Sequence, residues 1–196
     1  MKKNHGYILL LVLALGLVWY LADTSERHRA PFQAVFAFSF ETKPAGQIEA
    51  FAKRMIGEYR VSNQRESQIR TLVNALECYH YLVYNGTVGV SRFYDFMRIV
   101  LLPRQREKLR DKDEYVTEIK RYLRRKRNLK TRYLKYEVSA PVPRHTKDGE
   151  RIDVTVLRTD NRNRELITYS FRKFRNRYYL VLERDASGLD LPFGGP

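Results

Sequence analysis

Cysteine occurs once in the 196 residues, tryptophan once and histidine four times. With Cys78 alone, an intrachain disulfide and a cysteine-based zinc site are both excluded. Its place beside aromatics in a predicted helix suits a small buried residue better than a reactive thiol. The histidines (His5, His28, His80 and His145) are too widely spaced for a paired-histidine metal motif. No glycine-rich phosphate loop, no Gly-x-Ser-x-Gly elbow, no internal repeat and no low-complexity tract is present. These absences remove most catalytic constellations, so the chain reads as non-catalytic, with no metal and no cofactor. The paired Asp111 and Asp113 sit where they serve a helix start. Only His80 and Asp95 remain as candidates for a polar pocket, and a lone histidine on a helix is ordinarily structural.

Acids are also in short supply. There are 37 basic and 22 acidic residues, a net charge of +15. With Lys2 and Lys3 set aside, the chain after residue 22 holds 35 basic and 22 acidic residues, a net of +13. Such an excess attracts anionic surfaces such as phospholipid headgroups, acidic proteins or nucleic acid.

There is one long apolar run, residues 7–22, and it contains no charge. As a helix it would span about 24 Å at ~1.5 Å per residue, at the short end of what a bilayer core needs. Tyr7 stands at one end and Trp19 and Tyr20 at the other, where amphipathic rings favour the interface. A cleaved signal peptide competes with this reading, but cleavage after Ala22 would place Tyr20 where a small residue is wanted. Residues 1–22 are therefore expected to be a retained single-pass membrane anchor, and 23–31, ending in Pro31, a linker. Lys2 and Lys3 balance Arg27 and Arg29 across the run. The short N-terminal tail tips the orientation toward a cytoplasmic N-terminus and an exported domain, periplasmic in a bacterium.

Beyond the linker, Phe32, Phe36, Phe38 and Phe40 fall on one side of a period-two pattern, the mark of a strand with one apolar face. That face either packs on its own domain or docks on a partner or a sheet edge. Pro44 opens a helix with Ile48, Phe51, Ala52, Met55, Ile56 and Tyr59 on one face. A second helix runs from about Ser67 to Tyr84, with Ile69, Leu72, Val73, Leu76 and Tyr79 inward. Ser91 is placed to cap a third helix that Pro103 ends, and Asp113 a fourth. Then the period changes. Strands are predicted over 133–140, 151–159, 165–174 and 177–183, separated by turn residues. Helices followed by a meander give an α+β fold with an antiparallel sheet of about four strands. The whole forms one domain over 32–185, within which 32–62 is an extra strand and helix. Residues 186–196 read as a tail.

The ending runs Arg151-Ile-Asp-Val-Thr-Val and then Thr168-Tyr-Ser-Phe-Arg-Lys-Phe-Arg-Asn-Arg-Tyr-Tyr-Leu-Val181. Over about residues 67–185 this order resembles the nuclear transport factor 2-like group, the cone-shaped α+β fold shared with ketosteroid isomerase. The resemblance implies helices wrapped by a curved sheet, with Tyr178 and Tyr179 where a tryptophan is common. It also implies that membrane-anchored relatives act as assembly subunits of protein complexes. The group's enzymes keep an Asp or His inside the cone, and no residue here maps onto that acid or base.

The concentrated signal is basic. Lys120, Arg121, Arg124, Arg125, Lys126, Arg127, Lys130, Arg132 and Lys135 supply nine positive charges in sixteen residues without an acid. On a helix, Arg121, Arg124 and Arg125 share a side away from Ile119 and Leu123. A solvated face and a site for an anionic lipid headgroup or acidic protein are both compatible with this run. Nucleic acid is disfavoured because an exported domain seldom meets it.

The expected function is a membrane-tethered scaffold or binding subunit of an envelope protein complex. The alternatives are a small-ligand-binding or isomerase-like cone, and a cytoplasm-facing nucleic-acid-binding protein. Protein extracted from membranes should retain residues 1–22 in an intact-mass measurement, and a mature N-terminus near Asp23 would overturn the anchor.

Overall fold

The structure, a computed structural model, describes residues 32–106, 112–147 and 149–182. The expected anchor (1–22), linker (23–31) and tail (186–196) lie outside the described residues. Among the described residues no helix is long and apolar enough to cross a membrane. The described residues from Ala34 onward form one compact unit of mixed helix and antiparallel sheet. Its elements are β1 (Ala34–Ser39), α1 (Ala45–Val61), α2 (Arg65–Tyr84), α3 (Val90–Val100), the short α4 (Pro103–Arg106), α5 (Lys112–Asn128), β2 (Tyr133–Ser139), β3 (Val142–Thr146), β4 (Gly149–Asp160), β5 (Arg164–Phe174) and β6 (Arg177–Val181).

The alternation in β1 does what a period of two dictates. Phe36, Phe38 and, just beyond the strand, Phe40 turn inward, while Val35 and Ala37 stay exposed. Phe38 stacks on Phe51 of α1 at 4.9 Å, and Phe40 on Tyr81 of α2 at 4.1 Å. The aromatic face of β1 is therefore engaged by its own domain. Phe32 precedes the strand and is half-buried. The strand is not an appendage either. It pairs antiparallel with β2, Phe36 opposite Val138 and Phe38 opposite Tyr136.

The sheet has six strands in the order β1-β2-β4-β5-β6, with β3 also on β4, two more than the four-strand meander expected. β2 and β3 share one edge of β4, pairing with its C-terminal and N-terminal halves respectively. Ala140 and Pro141 interrupt the ladder between them. There the Ser139 hydroxyl accepts the Thr155 N–H at 2.9 Å, so the donor left by the break is satisfied. On the inward face, Ile152, Val154 and Val156 of β4 and Tyr169 and Phe171 of β5 are buried. The β5–β6 hairpin turns on Arg175-Asn176, with Arg175 at φ 54°, a left-handed conformation that a side chain adopts at some cost. At the far edge, β6 is covered in part by the chain after α3. Leu102 donates its N–H to Leu180 O at 2.9 Å, and the Gln105 amide exchanges two hydrogen bonds with the Leu182 backbone.

α2 lies between α1 and the sheet and is buried along most of its length. An apolar stripe was expected, yet polar residues at steps of three are buried with it: Gln68, Thr71, Asn74, Glu77 and His80. Against a 3.6-residue turn, steps of three drift backward around the helix by about 60° each, so no single apolar face could reveal them. The Thr71 hydroxyl bonds back to Ser67 O and Gln68 O of its own helix, and Gln68, Asn74 and Glu77 are matched by the surrounding chain. The Gln68 amide donates to Asn176 O and accepts the Tyr178 N–H. The Tyr136 hydroxyl donates to Asn74 Oδ1 at 2.9 Å. Glu77 receives the most. Arg158 of β4 forks onto it, Nε to Oε2 at 2.8 Å and Nη2 to Oε1 at 3.0 Å. Tyr133 donates to Oε2, and Tyr169 donates to Oε1 at 2.6 Å while accepting from Arg158 Nη2 at 2.7 Å. Burial by itself would depress the guanidinium of Arg158, but the Glu77 carboxylate together with Tyr169 and Tyr133 more than offsets it and holds its pKa above the ordinary value.

Other sequence expectations shift at the edges. α3 starts at Val90 with Gly89 as its N-cap and no side-chain cap, so Ser91 lies inside the first turn. The same helix ends at Val100, and Pro103 opens the separate α4. Asp113 lies in the first turn of α5; Asp111 is outside the described residues. Tyr178 and Tyr179 divide their tasks as an alternating strand requires. Tyr178 packs against the core, whereas Tyr179 lines a surface cleft.

Removing one partner of a buried, hydrogen-bonded ion pair leaves a charge without compensation. Arg158→Met should cost about 3–5 kcal/mol in denaturant unfolding, and Glu77→Met combined with Arg158→Met should cost less than the two single losses together. Additive losses would show that the pair is not coupled.

The buried tyrosines also make stability sensitive to alkali. Burial first, and then the nearby Glu77 charge, hold Tyr133 well above the usual tyrosine range, and burial does the same for Tyr136 and Tyr169. Burial pushes the Cys78 thiol up to about 12. In the unfolded chain these groups titrate near ~10 for Tyr and ~8.5 for Cys. Their folded values are raised, so the associated stability is complete below the unfolded values and is lost as pH rises toward the folded ones. Each tyrosine should cost about 1.4 kcal/mol per pH unit above ~10. Melting temperature should therefore fall steeply between pH 10 and 11, and a flat profile there would refute the burial.

Candidate functional site

α5 is helical for ordinary reasons: good helix formers dominate it, and Tyr115, Ile119 and Leu123 bury one face. Its other faces carry the basic run. Lys120, Arg121, Arg124, Arg125 and Arg127 are all exposed. Lys126 belongs to the same helix, and its side chain lies outside the described set. None of the five makes an ion pair with a described residue. The exit from α5 is held by Asn161 of the β4–β5 turn, whose Oδ1 accepts the Arg132 N–H at 2.6 Å and whose amide donates to Lys130 O at 3.2 Å. Lys130 and Arg132 are thereby exposed at a fixed turn. Lys135 is set apart: it lies in β2, half-buried, 3.5 Å from Glu137.

Lys120, Arg124 and Arg127, spaced by four and three, face a groove of about 510 Å³ between α5 and the loop after α2. The groove is floored by Val83, Val88, Val90 and Leu123. Gly86, at φ 75°, lets the chain turn under Arg127, whose Nη2 would lie 3.5 Å from a Cβ placed there. Three cations of the run thus form a rim above an apolar floor, while Arg121 and Arg125 lie outside it.

His80 and Asp95 are not brought together. His80 is buried beside Tyr133 and Arg158 at a cavity of about 30 Å³, room for about one water. Asp95 is exposed on α3, paired with Lys112 at 3.0 Å, and it borders a different cleft. The two candidates for a polar pocket therefore line different cavities. A pocket of about 370 Å³ does exist elsewhere, between β1, α2 and the sheet. Phe36, Ile69, Val73, Val138 and Val154 line it, with Glu66 and Arg70 on its wall.

The cleft beside Asp95 escaped the sequence reading altogether. It is lined by Arg60 of α1, Arg98 of α3, Arg106 of α4 and Arg177 of β6, with Tyr59 and Tyr179, and measures about 410 Å³. Its arginines are far apart in sequence, so no local density marks them. Only the packing of α1 and α3 toward β6 gathers them.

Among the described residues no group of His, Cys, Asp and Glu could hold a metal ion. No protein-family model, no curated protein and no solved structure matches this chain.

Proposed function

We propose that this chain is a membrane-tethered, non-catalytic binding subunit of an envelope protein complex that engages an anionic surface through α5. The observation that carries this reading is the set of five exposed cations on α5 that make no ion pair with a described residue, three of them lining a groove with an apolar floor. A helix that needed only solubility would mix signs, and like charges at i and i+4, as Arg121 and Arg125 are, weaken it by about 0.2–0.5 kcal/mol. Near an anionic membrane each basic residue contributes about 1 kcal/mol. Five of them therefore supply about 5 kcal/mol, more than three decades of affinity. The expected topology is N-terminus cytoplasmic and domain exported. The helices packed on an antiparallel sheet, with the tight β5–β6 hairpin at its end, are consistent with the cone-like resemblance.

A second reading, a small-ligand-binding cone, draws on the apolar pocket at Phe36, Ile69 and Val154, but that pocket is remote from both His80 and Asp95.

Replacing Arg121, Arg124, Arg125 and Arg127 with Gln in the full chain should leave the melting temperature unchanged. It should weaken cosedimentation with phosphatidylserine vesicles by at least about 100-fold at 0.1 M salt. The wild-type affinity should itself fade toward 1 M salt, where the screening length drops to about 3 Å. Equal vesicle binding by variant and wild type would overturn the assignment. A preference for single-stranded DNA over vesicles at matched salt would favour a nucleic-acid-binding reading instead.

A further inference from the structure

We propose that the cleft formed by Arg60, Arg98, Arg106 and Arg177 is a second, separate anion site that takes a ligand bearing a diphosphate group. Four guanidiniums line one concavity, and two of them are already held in place by the fold. Arg177 donates from Nη2 to Arg60 O at 2.6 Å and lies 6.0 Å from the centre of the Tyr59 ring. Arg106 donates from Nε to Leu101 O at 3.2 Å and from Nη2 to Ile99 O at 3.1 Å, and lies 5.8 Å from the centre of the Tyr179 ring. The tyrosines are fixed in turn, since the Tyr59 hydroxyl donates to Tyr178 O at 3.0 Å and Tyr179 meets Phe174 edge-on at 6.4 Å. Each guanidinium has five N–H donors, so most of those on Arg106 and Arg177 remain for a ligand. Arg60 and Arg98 are exposed and make no ion pair with a described residue.

The competing account is helix capping. Arg60 lies in the last turn of α1 and Arg98 in the last turn of α3, while Arg106 and Arg177 bond carbonyls at those same helix ends. Capping does explain why arginines collect here, but it falls short in charge. A helix C-terminus carries about −0.5 charge, so two of them offset about one of the four cations. Among the described residues Asp95 is the only acid in the lining, and Lys112 already pairs with it. Counting Asp95 in full still leaves about two positive charges unbalanced among the described residues.

The chemistry of the ligand follows from the donors. Planar guanidinium forks match phosphate oxygens in bidentate fashion. A single phosphate engages one or two forks, whereas two linked phosphates can engage all four. The volume of about 410 Å³ falls within the roughly 300–1,000 Å³ of small-molecule sites. It leaves room for a group attached to the diphosphate, next to the Tyr179 ring.

The test is calorimetric titration of the full chain in a nonionic detergent with inorganic pyrophosphate, orthophosphate and a nucleoside diphosphate. Pyrophosphate should bind at least tenfold tighter than orthophosphate. Arg60→Gln combined with Arg98→Gln, at exposed positions whose side chains hold no carbonyl, should weaken pyrophosphate at least tenfold. The chain should still unfold cooperatively, with the melting temperature lowered only as far as losing two helix-end charges allows. The α5 variant with four Gln substitutions should bind pyrophosphate as the wild type does, which separates this site from the membrane-facing one. A nucleoside diphosphate binding tighter than pyrophosphate would identify the attached group as a nucleoside, and equal affinities would mean that the diphosphate alone is read. The proposal is overturned if pyrophosphate does not bind, if orthophosphate binds equally well, or if affinity is lost in the α5 variant and kept in the Arg60 and Arg98 variant.

Discussion

The interior is organised around one ion pair. Glu77 is fully buried on α2 and Arg158 is 4% exposed on β4, and taking such charges from water costs several kcal/mol per ion. The cost is offset because Arg158 forks onto both carboxylate oxygens and Tyr133 and Tyr169 complete the set. Three different strands thus converge on one turn of one helix. An apolar contact of similar size would tolerate sliding by a turn, whereas this one is satisfied in a single register. The other buried polar residues extend the same constraint. Asn74 holds β2 through Tyr136, and Gln68 holds the β5–β6 turn and the start of β6.

That register has consequences at the surface. With α2 locked to the sheet, α1 and α3 are placed against its remaining sides, and their C-terminal ends come to border β6. The result is the arginine cleft, whose cations come from four separate elements. At the other end of α3 the chain borders the groove beneath Lys120, Arg124 and Arg127. α3 is 11 residues long, so about 16 Å of helix separates the two basic regions. They have different characters. The groove pairs exposed side chains with an apolar floor, which suits an extended anionic surface. The cleft pairs pre-positioned guanidiniums with tyrosines, which suits a compact anion.

Much of the architecture was legible from residue order, and the reason is periodicity. Phe36, Phe38 and Phe40, the face of α1 from Ile48 to Tyr59, and the inward Ile152, Val154 and Val156 are all short-range patterns, and each element buried the face its pattern marked. The exposed flank of α5 was read in the same way from the placing of Ile119 and Leu123. Boundaries at Ser91 and Pro103 were misplaced because a chain break or a cap is set by hydrogen bonds the pattern does not record. The strand at residues 142–146 was missed for a related reason: Pro143 and its exposed neighbours show no alternation, and pairing with β4 alone makes it a strand.

The sequence by itself determined the composition of each element, the excess of positive charge and its concentration at residues 120–135, because these depend on neighbours a few residues apart. Tertiary structure alone decided which distant side chains meet. It placed Arg158 on Glu77 across 81 residues and turned a polar series on α2 inward. His80 and Asp95 were sent to different cavities, and four arginines spread from position 60 to 177 were drawn into one cleft. Such meetings are set by the energetics of burying and pairing charges once the core has closed, and no local period in the chain carries that information.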